Sequence, residues 1–303
     1  MQFLTGGDSG FYFDEMIKRF SWLPHVWNGA AGLGGPIAAR LWFDYPYMLS
    51  IKLLSTIGFS WWYIDKLKWM FLVTLAVYSS WRFMRFMGFS KMLSALGVMV
   101  YVLNTYFLML VSGGQIGVAL GVAFCPFVLS LFMRDIEDAT AHDRSWTTYL
   151  KKGVLSGGAL ALLIAYDLRM AYLLLFVIAL YGVCRLVCLG QANAIALLRR
   201  YSLLGFFSLV VVTCVHLFWI LPVVFGGGAG AGLGEEYTGV GALAYFSFAD
   251  FSHALSLLHP NWPENIFGKT YFLQPEFLLI PVLAFASFLW VGEEKNAATR
   301  RRI

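Results

Sequence analysis

Residues 153–189 read GVLSGGALALLIAYDLRMAYLLLFVIALYGVCRLVCL, a long apolar region broken in its middle by Asp167 and Arg169. Apolar runs of this kind recur along the chain and approach the roughly 20 residues that a bilayer core requires. Over all 303 residues, 59% are apolar, 17% aromatic and 13% charged, with a mean hydropathy of +0.70. A soluble domain carries about 25% charged residues. Half that number cannot solvate a globular surface, so lipid must cover much of it.

The apolar runs and their breaks predict an all-α, polytopic transmembrane bundle of about seven spans. These are 69–81 (continuing to Met87), 92–111, 116–133, 153–166, 170–189, 201–225 and 276–291. The net charge of +5 does not mark a nucleic-acid surface, because the basic residues sit between apolar runs rather than among aromatics on a polar face. With Arg82, Arg85 and Lys91 on the cytoplasmic side, 14 of the 22 basic residues fall on that side in short loops. Eleven of the 17 acidic residues fall outside. Lysine and arginine in short loops set topology, so the large loops are expected on the extracytoplasmic side of the cytoplasmic membrane. The chain then divides into an external segment 1–65, a six-span core 66–225, an external loop 226–275, and a last span with a cytoplasmic tail at 276–303.

The stretch 47–62 is helical and apolar in pattern, but it carries Lys52 in mid-run and Trp61, Trp62 and Tyr63 at one end. That suits a helix lying along the outer face. The first segment would thus be external with nothing ahead of it to translocate it, and the other end stops on a cytoplasmic basic run. A fragment of a longer protein, with a helix upstream, is the expectation.

Within the first segment, glycines and prolines exclude one long helix, and residues 11–20 form a short amphipathic helix. Asp8 sits in a glycine turn where backbone could approach a ligand; alternatively it caps that helix. The second segment opens with GGGAGAGLGEEYTG, whose composition predicts a flexible loop. His253 and His259 follow it and are read as solvated. Cys184 and Cys188 share a helix face, but no histidine or carboxylate joins them in sequence, so they are read as small apolar residues rather than metal ligands. No cofactor is assigned, and a divalent cation stays open.

The run 153–166 has 14 residues, about 21 Å long, short of a core of roughly 30 Å. Asp167 and Arg169 are therefore expected below the outer interface. They form either a self-neutralising pair or a site for an anionic head group.

Gly7-Asp8 with Phe11-Tyr12, the stretch 22–36, Tyr45-Pro46, the SGGQ turn at 112–115 and Asp167-Leu168-Arg169 occur in an order that resembles the GT-C superfamily. These are glycosyltransferases that use polyprenyl-phosphate sugars, and the pattern is most similar to the arabinofuranosyltransferase D-like and YfhO-like bacterial membrane proteins. The resemblance implies an inverting enzyme that passes a sugar from such a donor to a glycan, lipid or protein acceptor of the cell envelope. It implies that Asp8 is the catalytic base, although no second acidic residue adjoins it. A departing lipid phosphate needs a cation, and arginine offers a bidentate fork; Arg169 is the first candidate and Arg40 the second. Asp167 and Asp44 complete the expected substrate contacts, with Asp44 next in line as base. Residues 226–241 could close as a lid. A lipid-linked glycan transporter or flippase and a non-catalytic scaffold are the competing classes.

Overall fold

The computed structural model describes residues 10–25, 27–28, 35–36, 41–141, 145–188, 194–225 and 279–286. Apart from turns and a two-residue antiparallel ladder, the described residues are helical. In chain order they form α1 (Asp14–Arg19), β1 (Trp27–Asn28), β2 (Gly35–Pro36), α2 (Leu41–Thr56), α3 (Trp61–Phe86), α4 (Lys91–Val102) and α5 (Thr105–Ser112). Then come α6 (Ile116–Ala141), α7 (Trp146–Tyr166), α8 (Leu168–Cys188), α9 (Ala194–Phe225) and α10 (Leu279–Ala286). The lid at 226–241, His253 and His259 lie outside the described residues.

Among the described residues, three helices are long and apolar enough to cross a membrane: Ile116–Thr140, Leu168–Val187 and Ile195–Phe225. The bent pair α4–α5 makes a fourth if its two pieces are one span, with a 48° bend between them. Helices α3 and α7, of 26 and 21 residues, are also long enough but less apolar. Within its apolar window α6 is 78% buried, against 17% for α8 and 11% for α9. Helix α6 is therefore the axis of the bundle, and α8 and α9 present most of their surface outward.

Two apolar cores share α6. One joins α6, α7 and α8 through Phe124, Val128, Leu160, Leu163 and Leu174. The other joins α3, α5 and α6 through Leu72, Ala76, Phe107, Ala119 and Ala123. Pro126 inside α6 has no N–H for the carbonyl four residues earlier. That carbonyl belongs to Val122, and the Tyr101 hydroxyl donates to it at 2.7 Å. In lipid such a group must find a partner within the protein.

Helices α7 and α9 meet backbone to backbone. A Cβ on Gly153 would lie 2.5 Å from the Cβ of Phe207, and one on Gly157 would lie 2.7 Å from the Cα and carbonyl oxygen of Ser208. The Ser208 hydroxyl donates to the Gly153 carbonyl at 3.2 Å. Small residues four apart allow this approach, which is how helices associate where no hydrophobic force separates them from lipid. Higher on the same pair, His216 is 1% exposed. Its Nδ1 accepts from the Trp219 indole at 2.8 Å, so the proton resides on Nε2, which donates to the Ala161 carbonyl at 3.0 Å.

A small platform covers one end of the bundle. Ile17 of α1, Ile51 of α2 and Trp61 and Ile64 of α3 form its core. Lys52 is buried, not snorkelling outward as an interfacial helix would have it. Its ammonium donates to the carbonyls of Lys18 and Phe20 at the end of α1 and lies 4.8 Å from the Trp22 ring centre. The expected 47–62 helix is in fact split. Helix α2 ends at Thr56, Gly58 turns with φ +106°, and Trp61 opens α3. Helix α1 begins at Asp14 with Phe13 at its N-cap.

Gly157→Ala is expected to destabilise the bundle by about 1–3 kcal/mol, because the Ser208 backbone cannot yield. Gly158, one residue on, has nothing within 4 Å of where a methyl group would sit, and Gly158→Ala should be neutral or slightly stabilising. Thermal unfolding of the two variants in detergent checks the contrast.

Candidate functional site

The platform end also holds the break at Asp167. Helix α7 stops at Tyr166, Asp167 is extended (φ −158°, ψ 117°), and α8 starts at Leu168. The connection is thus a one-residue elbow. Helix α7 is longer than its apolar run, beginning at Trp146 and running for 21 residues, about 31 Å, which removes the expectation of a short span. Packing places the elbow. Gly117 lies against the Tyr166 carbonyl and Gly121 against the Asp167 side chain, so the elbow sits beside the second turn of α6. Gly121 is five residues into α6, about 8 Å along its axis.

Asp167 is 1% exposed and its oxygens are turned to its own chain. Oδ1 accepts from the Met170 amide at 3.0 Å, which makes Asp167 the N-cap of α8. Arg169 donates through Nε at 3.2 and 3.3 Å and through Nη2 at 2.8 Å, a forked pair. The Arg169 side chain nevertheless stays 63% exposed. Tyr106 of α5 and Tyr172 of α8 are near enough to couple to it electrostatically. The elbow therefore holds a guanidinium in a fixed place at the start of a helix, where an anion would also meet the positive end of the helix dipole.

Of the other expected contacts, Asp44 lies half-buried in the first turn of α2. Its neighbour Phe43 packs on Gly117 beside the Tyr166 carbonyl, which brings the start of α2 to the elbow. Asp8 and Arg40 lie outside the described residues. Among the described residues, no three of His, Cys, Asp and Glu are grouped as metal ligands would be.

Two further buried carboxylates were not singled out in the sequence. Asp135, near the other end of α6, is 1% exposed. It accepts from Lys152 at 3.0 Å and from the Ser156 hydroxyl at 2.6 Å, while Lys152 also pairs with Asp138 at 3.0 Å. This ties α6 to α7. Lys152 is thus a structural partner; the signal was the acidic trio Asp135, Glu137 and Asp138 closing an apolar helix. Asp65, at the platform end of α3, is 0% exposed and pairs with Lys68 at 3.0 Å. Here the signal was an acid three residues before a lysine.

No family model, curated protein or solved structure matches the chain.

Asp167→Asn keeps an acceptor for the Met170 amide, whereas Asp167→Ala removes the cap as well as the charge. The alanine variant is expected to be less stable than the asparagine variant by about 1 kcal/mol. Coincident unfolding curves would mean that the cap contributes nothing.

Proposed function

We propose that this chain is an inverting GT-C-type glycosyltransferase that moves a sugar from a polyprenyl-phosphate donor to an extracytoplasmic glycan, lipid or protein acceptor. In this reading α3, α4–α5, α6, α7, α8, α9 and α10 are seven spans of the cytoplasmic membrane, with the platform end outside. The observation that carries it is Arg169: an exposed guanidinium, oriented by a buried carboxylate and set at a helix start at the end where a lipid phosphate would lie. The resemblance in residue order adds Asp8 as base.

The chemistry follows from those roles. An acceptor hydroxyl attacks the anomeric carbon from the face opposite the phosphate, and its proton passes to the Asp8 carboxylate. The bond from the anomeric carbon to the phosphate oxygen breaks, and the electron pair leaves on the lipid phosphate. Arg169 meets that developing charge with a charge-assisted hydrogen bond. Asp167 orients Arg169 and takes no proton. Arg40 is the second cation for the phosphate, Asp44 is the alternative base, and a divalent cation remains compatible with the acidic residues of the first segment.

A lipid-linked glycan transporter is the second reading. The break between α4 and α5 favours it, because discontinuous helices are common at transporter binding sites.

The test is sugar transfer from a panel of polyprenyl-phosphate sugars in membranes carrying the protein, with Asp8→Asn and Arg169→Gln beside the wild type. Transfer by the wild type should fall about 100-fold or more in Asp8→Asn at equal protein level. Arg169→Gln should lower kcat/KM by a similar order. Undiminished transfer in Asp8→Asn would move the base to another carboxylate, Asp44 first. No transfer from any donor would remove the transferase reading in favour of the transporter or a scaffold.

A further inference from the structure

At the end of the bundle opposite the platform, the last two turns of α6, the end of α8 and the start of α9 meet in one junction. Tyr181 and Arg185 stand one turn apart on α8, and the Tyr181 hydroxyl donates to the Glu137 carboxylate of α6 at 3.2 Å. From α9, Arg200 donates to the Ala139 carbonyl at 3.0 Å. The Thr140 hydroxyl gives its proton to the Ile136 carbonyl at 2.8 Å, so the Tyr201 hydroxyl is the donor in its 2.7 Å bond to Thr140. Arg185 is near enough to couple electrostatically to both tyrosines. The junction thus holds two phenols and two half-buried guanidinium groups together.

Charge there is unbalanced. Arg134, Lys152, Arg185, Arg199 and Arg200 adjoin Asp135, Glu137 and Asp138. With every acid matched to a base, two positive charges are still in excess. The depth is that of a lipid head group. Helix α8 has 21 residues and is about 31 Å long, close to the roughly 30 Å of a bilayer core. Arg185 is in its last turn, about 24 Å along the helix from Arg169, so with α8 across a bilayer the two arginines lie toward opposite faces. Tyrosine is also enriched at that level of a membrane. Beside the cations the surface is apolar: Val183 and Val187 of α8 and Ile195 and Leu198 of α9 are all exposed. A ligand with a negative head and apolar tails covers both kinds of surface, whereas a zwitterionic head would bring its own cation against the arginines.

We infer that the α6–α8–α9 junction binds an anionic phospholipid of the leaflet at that end, with Arg185 and Arg200 as its phosphate contacts. A guanidinium donates to phosphate oxygens in a forked, charge-assisted pair, and basic pockets between membrane helices are suited to such head groups. Tyr201, bonded to Thr140, and Arg200, bonded to the Ala139 carbonyl, fix α9 against α6, while Tyr181 fixes α8 through Glu137. The two arginines are thereby brought to one place from two helices that otherwise present most of their surface outward. The lipid's acyl chains lie along those outward faces. The binding goes beyond the transferase reading and does not need it; it needs only that α6, α8 and α9 cross the bilayer.

Native mass spectrometry of the full chain released from detergent tests this, with phosphatidylglycerol and phosphatidylcholine of the same acyl chains as probes and inorganic phosphate as competitor. The wild type should hold phosphatidylglycerol about tenfold or more tighter than phosphatidylcholine. Arg185→Gln and Arg200→Gln should each weaken phosphatidylglycerol about fivefold, and together remove most of the preference. Arg82→Gln with Arg85→Gln, which removes two charges at the same end of the bundle but on α3, should leave the preference as it is in the wild type. Inorganic phosphate should not displace the lipid. A wild type without the preference overturns the inference, and that comparison depends on no variant. So does a preference that survives Arg185→Gln with Arg200→Gln in protein of native helicity. A preference lost equally in the α3 pair would mean a diffuse surface potential and no site, and displacement by phosphate would mean a site for the free anion; either result also overturns it.

Discussion

The approach of α7 to α9 at Gly153 and Gly157 is the contact on which the rest of the bundle is arranged. With the two backbones this close, α7 is pressed between α9 and α6, and the Lys152 and Ser156 side chains reach Asp135 on α6. The other end of α7 is then carried to the second turn of α6, where Gly121 leaves room for Asp167. Two pairs of glycines, one on each of two helices, thereby set the position of the elbow. A Cβ at any of the four would meet a neighbour that has to move.

Charge inside the bundle follows a single rule. Among the described residues, each of the three most deeply buried carboxylates, Asp65, Asp135 and Asp167, has a basic side chain within 3.0 Å. In lipid an unpaired charge would cost several kcal/mol, and each of these acids is paired. The pairs differ in what surrounds them. Asp135 is answered by lysine and serine, and serves to hold two helices together. Asp167 is answered by its own helix start and by an arginine that remains exposed. Asp65 shares its lysine with two indole rings whose donors find no acceptor among the described residues. Burial is common to all three acids; the company each keeps is what separates a clamp from a binding group.

Much of the helical layout was legible in the chain. The apolar runs at 116–133, 170–189 and 201–225 coincide with the three helices that are long and apolar enough to cross a membrane, because apolar length is a local property. The ends were less legible. Helix α7 begins seven residues before its apolar run, as its first turns carry Thr147, Thr148, Lys151 and Lys152. Lysine is a good helix former, and nothing in backbone propensity stops the helix at a change of polarity. The run 92–111 divides into α4 and α5 because Asn104 caps the second piece by accepting from the Phe107 amide at 2.8 Å, a cap hidden within an apolar stretch.

Composition and the period of a helix were enough to establish a helical protein for a bilayer, the places of its apolar runs, and the interruption of one of them by Asp167 and Arg169. Folding settled the rest: which charges meet, that Lys52 is buried on the carbonyls of α1, that α6 is the central helix, and that Asp65 lies beside the Trp61 and Trp69 indoles. These depend on contacts between residues distant along the chain, 34 positions apart in the Lys52–Lys18 bond. Such contacts are set by how closely helices approach, and that approach is governed by side-chain volume at facing positions rather than by any pattern along one helix.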